Sequence, residues 1–158
     1  MTAQSKYQKL KDISYHTQIL SGISQLLDWD QETKMPPGAG EIRSEQLKTL
    51  AGLIHNEKTG TPFREALKEL VDIDTGTLAT TDLNPAQQAA VERWRTDYKK
   101  AVALPSSFVE DFAKLTSQSI VGWRDAKEKN CFNDFAPHLT KIVDMLRKKA
   151  DLIGYQDH

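Results

Sequence analysis

The segment Asp28-Trp29-Asp30-Gln31-Glu32 places three carboxylates within five residues. On a helix, Asp28 and Glu32 stand at i and i+4 on one face. Two carboxylates at that spacing could bind a divalent cation or work as an acid/base pair. The same residues also suit a structural role. Acidic side chains at a helix C-terminus oppose the macrodipole, and Arg43 and Lys34 are cations close enough in sequence to offset that cost. Ion pairing is the reading favoured here, because perturbed carboxylates are often structural. A contribution of Asp28, Asp30 and Glu32 to the groove of a larger enzyme comes second, and an autonomous catalytic or metal-binding pair last.

The other chemistry-bearing residues are scattered. His16 and His138 lack a second histidine at metal-ligand spacing on their own helices. His55-Asn56-Glu57 reads as a helix end, where an imidazole can cap carbonyls, and His158 is the last residue. There is no H-E-x-x-H, no C-x-x-C and no cysteine–histidine pairing, so these residues offer no zinc site. Cys131 has no local base or orienting group to make it a nucleophile. The glycines form neither G-x-G-x-x-G nor a P-loop. Trp94 and Tyr98, with Arg95 and Lys99 beside them, could stack bases, but no wider basic stripe accompanies them. Trp29, Trp94 and Trp123 are expected to be core or interhelix anchors, since they lie on apolar helical faces. No residue is assigned a catalytic or metal-binding role.

Helices must position these groups. Apolar residues recur at threes and fours through Leu10, Ile13, Ile19, Leu20, Ile23, Leu26 and Leu27, which predicts a helix over Ser5 to Asp30. Similar stripes predict helices over Ser107–Lys129 and Asn133–Ile153, with shorter ones over Gly40–His55, Pro62–Val71 and Pro85–Val102. Met35-Pro36-Pro37-Gly38 is a stop, because two prolines forbid helix continuation and glycine permits a turn. Asp72 to Asn84 reads as a loop, and Leu104-Pro105-Ser106 as a third break. Thr61-Pro62 and Asn84-Pro85 each set a capping residue before a helical proline. Asn84 with Gln87 makes a capping box, and Gly154 is placed for a left-handed C-cap. No segment alternates with period two. The expected fold is therefore all-α, with six helices in one domain over residues 1–158, and its most secure tertiary feature is a long antiparallel hairpin of the last two helices joined through Asn130-Cys131-Phe132-Asn133.

Composition narrows the function classes. The chain has 158 residues, 39% of them hydrophobic and 27% charged, with a formal net charge of -1. Balanced charge argues against nucleic acid or a membrane surface as partner. A single cysteine rules out a disulfide framework. No apolar run approaches the ~20 residues of a bilayer span, and residues 1–12 lack the apolar core of a signal peptide. A cytoplasmic protein is expected.

The run Leu27-Asp28-Trp29-Asp30-Gln31-Glu32-Thr33-Lys34-Met35-Pro36-Pro37-Gly38-Ala39 resembles the N-terminal segment of the carboxypeptidase Taq family. The resemblance continues through Arg43, Glu45-Gln46-Leu47, Leu50-Ala51 and Leu53-Ile54-His55. It is carried further by Trp94-Arg95, Asp97-Tyr98, Ala101 and Leu104-Pro105, and then by Thr116-Ser117, Trp123, Ala126, Asn133-Asp134-Phe135, Pro137-His138-Leu139 and Ile142-Val143. It covers essentially the whole chain, from about Tyr7 to His158.

The resemblance implies a cytoplasmic, largely helical and often dimeric zinc enzyme that removes single residues from peptide C-termini. In that family two histidines of an H-E-x-x-H helix and a downstream glutamate hold the metal, and the motif glutamate activates its water. No position from 1 to 158 matches those residues, so zinc is expected in the parent enzyme and none in this chain. The implied role is an N-terminal portion that forms wall or lid of a substrate groove and has the remainder of the polypeptide as its partner. The alternative is a stand-alone interaction module of the same ancestry. In either case, an apolar face larger than monomers tolerate is expected, and a homodimer is one way to cover it.

Overall fold

The computed structural model describes residues 2–154, so His158 and the tail from Tyr155 lie outside the described residues. Six helices occur among the described residues: α1 Ala3–Thr33, α2 Gly40–Thr59, α3 Thr61–Lys68, α4 Pro85–Val102, α5 Ser106–Glu128 and α6 Phe132–Ile153. The all-α expectation holds, and the breaks fall where Pro and Gly place them. α1 stops at Thr33, where the amides of Lys34 and Met35 both donate to the Asp30 carbonyl at 2.9 and 2.8 Å. The two prolines follow, and Gly38 turns the chain with φ +89. At α4 the capping box forms as spaced: Gln87 N–H donates to Asn84 Oδ1 at 2.9 Å, and Asn84 N–H donates to Gln87 Oε1 at 3.0 Å.

Three local expectations need correction. Thr61 is the first residue of α3 and not its cap; the cap position belongs to Gly60. α2 runs on to Thr59, leaving one residue for the corner, and a Cβ at Gly60 would lie 2.8 Å from the Asn56 carbonyl oxygen. α3 also ends at Lys68, short of Val71. Leu70 and Val71 are fully buried, but a turn buries them: Val71 bridges to Leu78, and Ala79 N–H donates to the Leu70 carbonyl at 2.9 Å. Gly154 has the expected positive φ of 83, but its ψ of 146 is extended, so no left-handed helical cap forms.

The residues group into two compact units, residues 1–20 with 54–103 and residues 21–53 with 104–158. The first has an apolar core of Leu10, Phe63, Leu67, Leu70, Val71 and Val91, among others. Each fully buried aliphatic side chain there contributes about 1.5–3 kcal/mol. Tyr98 stacks on Phe63 with centroids 5.9 Å apart, and Trp94 packs on Tyr7 at 5.5 Å. The loop after α3 is held from within by the Asp72 carboxylate, which accepts from the amides of Asp74 and Thr75 at 3.0 and 2.7 Å. Arg95 of α4 holds it from outside, donating to the Ile73 carbonyl at 2.9 Å. Gly76, with φ +79, approaches the Arg95 guanidinium so closely that a Cβ would lie 3.0 Å from Nη2.

The second unit is built differently. Its buried apolar residues are Leu47, Phe108 and Ala126, and beside them Gln31, Ser44, Ser117 and Ser119 are buried polar residues. α5 and α6 form the expected antiparallel hairpin. Lys148 lies over the Phe108 ring and Lys149 over Phe112, while His138, near the other end of α6, meets Ser119 at 3.4 Å. No residue of α6 is buried. Among the described residues no helix is long and apolar enough to cross a membrane.

Two helical glycines with opposite surroundings test this packing. Gly22 has no atom within 4 Å of where a Cβ would stand. Gly22→Ala is expected to stabilise the fold by about 0.5–1 kcal/mol, because a helix-interior glycine costs chain entropy without need. At Gly122 a Cβ would lie 2.8 Å from His138 Nε2, and Gly122→Ala is expected to cost about 1 kcal/mol net, because the His138 ring must be pushed off Ser119 and Phe135 to make room. Guanidinium unfolding of both variants measures the two signs.

Candidate functional site

The acidic run lies in the last turns of α1, which carry no basic residue of their own. Helical twist distributes its residues over different faces. Asp28, Trp29 and Glu32 are exposed, Asp30 is half-buried and Gln31 is fully buried. Arg43 of α2 reaches back across the turn: its Nη2 donates to Asp30 Oδ2 at 2.5 Å, and its Nη1 donates to the Leu27 carbonyl. The guanidinium thus neutralises a carboxylate near the negative end of the helix and donates a second bond to a carbonyl one turn further in, which is the structural role the sequence favoured. The acid it pairs with is Asp30, not a member of the i, i+4 pair.

Asp28 and Glu32 do form a carboxylate couple. The Asp28 carboxyl is held above the usual carboxylate range, first by partial desolvation and then by the neighbouring Glu32 charge, with Arg43 opposing both. A raised pKa means the folded chain favours the protonated acid. Asp28 therefore lowers stability as pH rises through its folded value, and the penalty vanishes below the ordinary value.

Gln31 was not foreseen as a buried residue, and its surroundings explain the burial. Its Nε2 donates to the Ser117 carbonyl at 2.8 Å, and Ser117 Oγ donates to its Oε1 at 2.8 Å. Arg124 of the same helix donates to the Gln31 carbonyl at 3.0 Å. The signal was present in the spacing: Leu20, Ser24, Leu27 and Gln31 follow a helical 4-3-4 register, and all are at least half-buried. Ile19, Ile23 and Leu26, counted with the apolar stripe, are exposed.

The remaining candidates are dispersed. His16 lies 3.6 Å from the Glu57 carboxylate on an exposed surface. His138 stacks on Phe135 with centroids 6.2 Å apart, and His55 is buried. Cys131 precedes α6 and lies 3.4 Å from Asp134 Oδ1. Of the three tryptophans expected as anchors, only Trp94 packs on a core. Trp29 and Trp123 are 57% and 48% exposed. Trp123 lines a shallow cleft of about 320 Å³ with Lys127, Cys131, Phe132 and Phe135. Among the described residues no three histidine, cysteine, aspartate or glutamate side chains stand together as a metal site.

The three acidic-run residues are separable by mutation. Asp30→Asn is expected to cost about 1–2 kcal/mol by breaking a half-buried charge-assisted pair. Gln31→Ala is expected to cost about 1–3 kcal/mol, since it removes two buried hydrogen bonds and leaves the Ser117 hydroxyl without its Gln31 acceptor. Asp28→Asn is expected to stabilise the chain at neutral pH and to remove the loss of stability that sets in as pH rises above the ordinary carboxylate value. Denaturant midpoints across pH check all three; a loss of stability in Asp28→Asn at neutral pH would contradict the assigned electrostatics.

Comparison with known proteins places this geometry. The profile of the carboxypeptidase Taq (M32) metallopeptidases matches residues 9–158. Thermostable carboxypeptidase 1 of Thermus thermophilus is 28% identical over 153 residues, which cover 97% of this chain and 29% of that protein. Carboxypeptidase 1 of Bacillus subtilis is 28% identical over 149 residues, covering 94% and 28%. Among solved structures, that of BsuCP superposes with a TM-score of 0.79 at 25% identity, over 99% of this chain and 29% of its own. The M32 carboxypeptidase of Deinococcus radiodurans R1 gives 0.68 at 32% identity, over 94% and 28%. The chain thus spans less than a third of the length of these relatives. With the family profile matched from residue 9 to residue 158 and its fold shared with two carboxypeptidase structures, the chain belongs to the carboxypeptidase Taq (M32) metallopeptidase family.

Proposed function

We propose that these helices are the non-catalytic N-terminal portion of a cytoplasmic zinc carboxypeptidase that removes single residues from peptide C-termini, and that they contribute wall or lid to its substrate groove. The observation that carries this reading is the asymmetry of coverage: 99% of this chain superposes on 29% of a carboxypeptidase structure. The residues described here do not fit a metal site, so no hydrolytic step is routed through them. In this reading the H-E-x-x-H histidines, the activating glutamate and the third ligand belong to the remainder of the polypeptide.

The outward-facing apolar residues favour a partner for the second unit. Ile23, Leu26, Trp29, Ile42, Trp123, Phe132, Leu139 and Leu146 are all exposed. The remainder of the enzyme would cover them, and a stand-alone module would cover them with a second copy or a partner helix. The reading frame after codon 158 separates the alternatives: a continuation encoding H-E-x-x-H supports the enzyme portion, and an immediate natural stop supports the module. For the purified 158-residue chain the expected outcome is no release of C-terminal residues from peptides and no stoichiometric zinc at neutral pH, read by amino-acid analysis and metal emission. Chelator-sensitive peptide cleavage restored by added zinc would overturn the proposal. Sedimentation at micromolar concentration is expected to show self-association, and a compact monomer would count against an uncovered apolar face.

A further inference from the structure

We draw no further inference here: the strongest candidate, the exposed apolar ladder Phe132, Leu139 and Leu146 along α6 beside Trp123 of α5, carries nothing because nothing in the structure shows whether a second copy, a foreign helix or further polypeptide covers it.

Discussion

The negative end of α1 is the constraint on which the second unit depends. That helix finishes with unpaired carbonyls, and its last turns add Asp30 and Glu32 with no cation of their own. Two prolines follow immediately, so the chain cannot continue the helix to satisfy those groups. Cations must come from elsewhere, and they come from two different helices: Arg43 of α2 takes the Asp30 carboxylate, and Arg124 of α5 takes the Gln31 carbonyl. Between them the Gln31–Ser117 pair exchanges two hydrogen bonds in a buried position. Hydrogen bonds to charged groups are worth about 1.5–3 kcal/mol each. Their directionality fixes how α1, α2 and α5 meet more sharply than a greasy contact could.

The two units show two ways of packing helices. In the first, large aliphatic and aromatic side chains point inward, and Leu10, Leu67, Leu70, Val71 and Val91 lose all contact with solvent. In the second, the buried positions are mainly small or polar. Gly40 stands 3.4 Å from a Val121 methyl at the position a Cβ would take, and at Gly122 that position is occupied by the His138 ring. Small residues let helices approach closely, and they leave the large apolar residues of the same helices on other faces. Lys148 and Lys149 hold their ammonium groups over the Phe108 and Phe112 rings. Trp123, Phe132, Leu139 and Leu146 stay exposed.

Most of the secondary structure was legible because its signals are local. Periodicity, the Met35–Gly38 stop and the Asn84/Gln87 box depend on neighbouring residues, and each gave the observed element. What failed was information that lives in three dimensions. Leu70 and Val71 continue the apolar spacing of α3, yet a cross-loop bridge to Leu78 buries them. Thr61 looks like a cap until α2 is found to end one residue before Gly60. On α1, both Leu27 and Leu26 satisfy a helical stripe, and only the position of α2 and α5 decides which one is inside. Trp29 and Trp123 failed for the same reason. The candidate acids were recognised as a cluster, and the cation that holds them was named, but the partner acid was not.

That last detail bears on chemistry. A carboxylate that activates water must keep its lone pairs free and its pKa near working pH. Asp30 has given an oxygen to Arg43, so its charge is already committed to ending a helix. The Asp28 carboxyl is raised by partial desolvation and by Glu32, with the Arg43 charge opposing both, and among the described residues no group of three metal-ligating side chains stands beside it. A raised pKa without an electrophile-orienting partner describes electrostatic strain at a helix end. Peptide hydrolysis asks for a base and a polarising centre at one carbonyl, and the acidic run of α1 supplies a helix terminus fastened to two neighbouring helices.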